Sequence, residues 1–136
     1  MKKSKRTKKS NSWKIKQHRD PYFKKSKTLG YRSRASFKLI ELNKKYRFIK
    51  KNSNLLDLGS CPGGWSQVAS KIITNGKILS IDIKDMEPIN NVKFEKVDIL
   101  QNDTKDVIIA YFQSKLDIII SDMAADTTGN RSLDSI

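Results

Sequence analysis

Apolar positions along the chain recur at a helical period in some stretches and cluster into short runs in others. Ala35, Leu39, Leu42 and Tyr46, with Ile40 adjoining, are spaced in steps of three or four, and Arg34, Lys38, Glu41 and Lys45 fall between them. That spacing predicts an amphipathic helix, entered through Ser33 as N-cap and fading near Arg47 before the polar stretch 50–54. Residues 54–58 read as a short buried strand ending in Asp57, and residues 59–64 as a glycine-rich loop. Helical spacing returns at Trp65, Val68, Ala69, Ile72 and Ile73. Asn75-Gly76 then reverses the chain, and residues 77–83 make a second strand closed by Asp82. A third strand over 92–97 leads to Asp98. A helix over 104–115 is built on Val107, Ile108, Tyr111 and Phe112, and a fourth strand over 116–121 leads to Asp122. Strands alternating with helices predict an α/β fold, with a parallel sheet covered by helices on both faces.

The first 27 residues stand outside this pattern. They are nearly devoid of aliphatic side chains and carry twelve Lys/Arg against one acid, so a basic, flexible arm is expected over 1–27 and a folded domain over 28–136. Trp13, Tyr22 and Phe23 interrupt the charges; such aromatics suit either stacking on bases or pinning of the arm to the domain surface. Residues 28–51 add eight Lys/Arg against Glu41, whereas 52–136 hold eight against twelve acids, within a formal net charge of +14. A segregated cationic excess favours a polyanionic partner, nucleic acid above all.

Composition also excludes classes of function. A chain of 136 residues, 37% of them hydrophobic, has material for one domain with a modest core. No apolar run approaches the ~20 residues of a membrane span, and no apolar segment follows the N-terminal lysines as a secretory signal requires, so a cytoplasmic location is expected. A membrane-surface role would need an apolar helix face that the basic arm lacks. Cys61 is the only cysteine and His18 the only histidine, which disfavours a zinc cage and a Cys-His nucleophile pair.

The chemistry concentrates at the loop 59–64. A strand, a glycine turn and a helix together form a nucleotide-type site, because glycines admit the ligand to the backbone and the helix N-terminus offers N–H donors. The dinucleotide fingerprint needs glycine where Cys61 stands; the triphosphate loop needs Lys and Ser/Thr where Trp65-Ser66 follow. A ligand with a nucleoside, a carboxylate and a positive centre remains, and S-adenosylmethionine has all three. Asp57, Asp82, Asp98 and Asp122 should converge at the strand C-termini. There Asp82 is suited to ribose hydroxyls, Asp98 to the adenine amine and Asp122 to the sulfonium. The competing reading is that such acids cap helices or solvate turns.

The stretch LDLGSCPGGWSQVAS, with SRASFKLIEL before it and SDMAADTTGN after it, resembles the FtsJ-type (RrmJ/RlmE) family of large-subunit ribosomal RNA 2′-O-ribose methyltransferases, over about residues 26–136. The resemblance implies a Rossmann-like methyltransferase fold, here truncated after its fourth strand, with S-adenosylmethionine as cofactor. It also implies as substrate a uridine 2′-hydroxyl of 23S ribosomal RNA in the large ribosomal subunit. Position by position it places Gly63, Trp65, Asp82, Asp98 and Asp122 on the family's cofactor contacts, and Lys38 and Asp122 on two members of its Lys-Asp-Lys-Glu catalytic set. The second lysine and the glutamate belong to a C-terminal portion beyond Ile136, so residues 1–136 by themselves are expected to transfer little or no methyl. The complete enzyme is expected to be monomeric. The fourth strand's bare edge, with its three isoleucines, is expected to make this chain marginal or self-associating. Ala125-Asp126 departs from the family's usual Pro-Asn. The alternative from another class is an inactive RNA-binding or ribosome-assembly protein that retains the cofactor pocket.

Overall fold

The computed structural model describes residues 21–113 and 115–123. The arm over 1–20, with Trp13, and the segment after Met123, with Ala125-Asp126, lie outside the described residues. In chain order the elements are α1 (Pro21–Thr28), α2 (Ala35–Tyr46), β1 (Leu55–Leu58), α3 (Gly64–Ile72), β2 (Ile78–Asp82), β3 (Val92–Lys96), α4 (Thr104–Phe112) and β4 (Ile118–Ser121). The strands form one sheet in the order β3-β2-β1-β4, every pairing parallel. Leu55 stands in register with Ile78 and Ile118, and Leu58 with Ile81 and Ser121, so the strand ends finish level along one edge.

Side chains alternate across the sheet, and each face has its own helices. Leu55, Ile78 and Ile120 pack with Leu39 of α2 and with Trp65, Val68 and Ala69 of α3. Leu56, Leu79 and Ile81 meet Phe112 of α4, with Ile108 and Tyr111 against them. The central strands are therefore apolar on both faces, which is why they read as runs and not as alternations. Among the helices described, none is long and apolar enough to cross a membrane.

The N-terminal part of the domain departs from the sequence reading. Residues 21–27, expected within the flexible arm, form α1 together with Thr28; the helix begins at Pro21, where a missing N–H costs nothing. Tyr22 lies 5.9 Å from the Phe37 ring, Tyr31 meets that ring edge-on at 5.7 Å, and Ser26 is buried. The aromatic at position 22 thus pins the start of the chain to α2, and this packing overrides a composition that favours solvation. The N-cap of α2 is Arg34 and not Ser33, and its side chain makes no cap hydrogen bond; Ser33 stands one residue earlier, its hydroxyl accepting the Ala35 N–H at 3.1 Å. The helix closes on Arg47, left-handed at φ 50°, whose N–H bonds the Asn43 carbonyl. Tyr46, placed on the apolar stripe, is exposed. α4 ends three residues earlier than its periodicity suggests, because Gln113 adopts φ 52° and caps on Ile109.

Candidate active site

The C-terminal edge of a parallel sheet is where loops meet ligands, and the four aspartates lie along it in the order Asp98, Asp82, Asp57, Asp122, following the strands. They do not behave alike. Asp57 sits within β1 at 1% exposure. Its Oδ2 accepts the Ser66 hydroxyl at 2.6 Å, and the Ser66 Oγ lies 2.6 Å from that of Ser80, the register partner of Asp57 on β2. Burial pushes the Asp57 carboxyl up to about 7; the Ser66 hydrogen bond opposes the rise, and the charges of Asp122 and Asp82 add to it. Asp57 thus senses the carboxylates on both neighbouring strands.

Asp82 holds the glycine loop. The Gly59 and Ser60 N–H groups both donate to the Ile81 carbonyl, and the Cys61 N–H donates to Asp82 Oδ2 at 2.8 Å. The other carboxylate oxygen accepts the Lys84 N–H at 3.0 Å. The first three N–H groups of the loop are therefore already engaged by β2. Asp98 turns one oxygen to the Leu100 N–H at 2.9 Å, and its carbonyl accepts the Thr104 hydroxyl at the start of α4. A carboxylate has about four lone-pair positions, so both aspartates combine turn-holding with remaining acceptor capacity.

Two glycines explain why the loop stays close to its neighbours. Gly59 has φ +69°, and a Cβ there would stand 2.0 Å from Met123 Cγ, so the Met123 side chain lies directly on this turn. Gly63, buried at φ +115°, would bring a Cβ to 2.9 Å from Ile89 and 3.1 Å from both Arg32 Nη1 and Met86 Sδ. Left-handed backbone and close packing both require glycine at these positions. Trp65 follows, buried, its indole N–H donating to the Ala35 carbonyl at 2.7 Å and so joining α3 to the first turn of α2.

Among the described residues, two hollows open at this edge. A groove of about 450 Å³ is lined by Tyr22, Arg34, Ala35, Phe37, Lys38, Glu41 and Asp122. A small one of about 40 Å³ lies among Ser33, Ala35, Asp57, the loop residues Ser60 to Pro62, Gly64, Trp65 and Asp122. Asp122 belongs to both. Lys38 and Asp122 line the same groove, and Trp65 and Asp122 the same small hollow, whereas Gly63, Asp82 and Asp98 share the edge without lining either. Among the described residues, Lys38 and Trp65 thus share hollows with Asp122, while Asp82 and Asp98 hold loops beside them.

Sequence reasoning missed Arg32, Ser66 and the groove position of Tyr22. Ser66 carried a signal, since a serine on the apolar side of a helix that follows a strand aspartate needs a buried polar partner. Arg32 carried none, because its partners are main-chain carbonyls far along the chain.

The FtsJ-like methyltransferase family model matches residues 31–136. Ribosomal RNA large subunit methyltransferase E of Rickettsia akari (strain Hartford) is 44% identical over 138 residues, covering 97% of this chain and 61% of the relative. The protein of the same name from Rickettsia canadensis (strain McKiel) matches with the same identity and coverage. A Plasmodium falciparum chain described as a ribosomal RNA methyltransferase superposes with a TM-score of 0.68 at 42% identity, over 76% of this chain and 62% of that one. The chain spans about three fifths of the length of the curated relatives it matches. The all-parallel sheet, the level strand ends and a family model that spans every site residue except Tyr22 agree, and the chain belongs to the FtsJ-like methyltransferase family.

Proposed function

We propose that this chain carries the S-adenosylmethionine-binding part of a 23S ribosomal RNA uridine 2′-O-methyltransferase, which works on the large ribosomal subunit in the cytoplasm. The observation that carries the reading is the shared position of Asp122, between the groove holding Lys38 and the hollow over the glycine loop. A transfer needs two adjoining compartments, one for donor and one for acceptor, with a polar group at their junction.

The residues present fit the cofactor. Asp82 keeps acceptor capacity for a ribose diol while it holds Cys61, and Asp98 does the same for an adenine amine. Gly59 leaves its backbone unshielded by a Cβ, with a single flexible methionine side chain over it, while Gly63 lets the loop pack closely under Ile89, Met86 and Arg32. When bound, S-adenosylmethionine supplies an electrophilic methyl group on a sulfonium. In this reading Gly63 and Trp65 shape the loop that receives it, and Asp122 places negative charge near the sulfonium.

The acceptor side follows from the groove. Lys38, exposed on α2, donates hydrogen bonds to a ribose oxygen or a phosphate and so fixes the acceptor in line for displacement. Asp122 orients that ammonium. The basic N-terminal region over 1–27, including the lysines of α1, grips RNA through its phosphates. Calorimetry with S-adenosylmethionine tests the reading: the parent is expected to bind, and Asp82→Ala to bind on the order of tenfold more weakly or worse. Equal binding by the two removes Asp82 from the ribose, and no binding by the parent rejects the function. In a longer chain that also carries the second lysine and the glutamate, methyl transfer is read as tritium entering large-subunit ribosomal RNA; label in alkali-labile rather than alkali-resistant linkages would exclude the 2′ oxygen.

A further inference from the structure

We infer that Arg32 is a positioning residue that sets the width of the cofactor crevice by latching the glycine loop to the connection between β2 and β3. The inference rests on the reading of this edge as the methyl-donor site. Arg32 lies between α1 and α2, far in sequence from both loops. Its Nη1 donates to the Pro62 carbonyl at 3.1 Å and to the Glu87 carbonyl at 2.6 Å, and its Nη2 donates to the Pro88 carbonyl at 2.8 Å. Three main-chain carbonyls from two loops thus converge on one guanidinium.

The root of the side chain is anchored as firmly as its tip. The Arg32 N–H donates to Gln67 Oε1 at 2.8 Å, and Gln67 Nε2 donates to the Gly30 carbonyl at 3.2 Å, which ties the α1–α2 turn to α3. Lighter cross-links run parallel to the latch, from the Cys61 N–H to Asp82 and from Cys61 Sγ to the Asp85 carbonyl at 3.4 Å. Gly63 makes room for it, since a Cβ there would stand 3.1 Å from Nη1.

The two latched loops leave the sheet from neighbouring strands, one after Leu58 of β1 and the other after Asp82 of β2. Each is anchored at a strand end and can swing without breaking the sheet, so the tie between them governs their separation. The hydrogen bonds formed by the guanidinium all end on carbonyl oxygens, so its task here is geometric and not the pairing of charges. A planar fork of five donors can hold two separated groups of carbonyls at once; an ammonium on a flexible stem cannot.

The test measures hydrogen exchange over residues 59–64 and 84–90, together with S-adenosylmethionine affinity, in the parent, Arg32→Lys and Arg32→Ala, the last also with millimolar guanidinium. Exchange should quicken in both loops and stay unchanged in β1 and β2. Affinity should fall on the order of tenfold or more, with partial recovery when guanidinium is supplied to Arg32→Ala. Unchanged loops and affinity overturn the latch, as does loosening spread evenly through the domain without rescue. Should Arg32→Ala fail to fold, Arg32→Lys carries the comparison, since it keeps the charge and loses the fork. A parent that binds no cofactor while its variants still loosen both loops supports the latch but overturns its cofactor role, together with the proposed function.

Discussion

Asp57 is the residue whose chemistry the fold changes most. Its carboxyl titrates at about 7 when folded, against 3.8 ordinarily, so between these values the folded chain keeps a proton that the unfolded chain releases. Its contribution to stability is complete below about pH 4 and is lost as the pH rises toward 7 and beyond. Asp57→Asn keeps an acceptor for Ser66 and removes the charge. Urea unfolding at pH 8 should find it more stable than the parent by about 3 kcal/mol, with the difference vanishing near pH 4. A parent whose stability rises from pH 4 to 7, relative to the variant, contradicts the assignment. Lys38 makes the opposite kind of prediction. It is exposed and contributes little to packing, so Lys38→Ala should leave the unfolding midpoint within about 0.5 kcal/mol. Its binding to a ribosomal RNA oligonucleotide, read by fluorescence anisotropy, should weaken without change in cofactor affinity.

At the scale of elements, the junction of α2 and α3 decides whether donor and acceptor hollows adjoin. Trp65 spans it, buried, with its indole N–H on the Ala35 carbonyl. Trp65→Phe retains most of the apolar contact and deletes that donor, and the expected cost in chemical denaturation is about 1–2 kcal/mol. No loss at all would mean that the hydrogen bond contributes nothing in solution. The helices and strands themselves were legible beforehand, because the spacing of Leu39, Val68 or Phe112 records which side of an element faces the core. α1 was not, since the lysines around Tyr22 outweigh a single aromatic until Phe37 is folded beneath it.

Across the whole molecule, charge and sheet closure are the dominant features. Twenty of the 28 Lys/Arg residues lie in the first 51 positions, on the same side of the sequence as Lys38 and Arg34 of the groove. Binding to single-stranded RNA should weaken steeply with salt. Deleting residues 1–20, which contain nine Lys/Arg, should reduce the magnitude of the log K against log [salt] slope by up to about 6; an unaltered slope would show that the arm does not touch phosphate. At the far side of the sheet β4 pairs with β1 alone among the described strands. Ile120 is buried and Ile119 is 60% exposed, on the face that α4 covers over β1 and β2. Association through this edge should appear in sedimentation velocity as a concentration-dependent shift, which Ile119→Lys suppresses.

Periodicity, loop chemistry and charge segregation are local or additive properties, and the sequence by itself determined them: the alternation of strands and helices, the aspartates at the strand ends, the glycine turn and the basic N-terminal region. Tertiary structure decided what depends on distance between remote residues. The strand order set the aspartates in a row, and Ser66 reached Asp57 and Ser80 because α3 folds back over β1 and β2. Arg32 met carbonyls at positions 62, 87 and 88 through contacts that leave no pattern in composition or spacing. Main-chain carbonyls look the same in every residue, so only the path of the chain shows which of them a guanidinium will find.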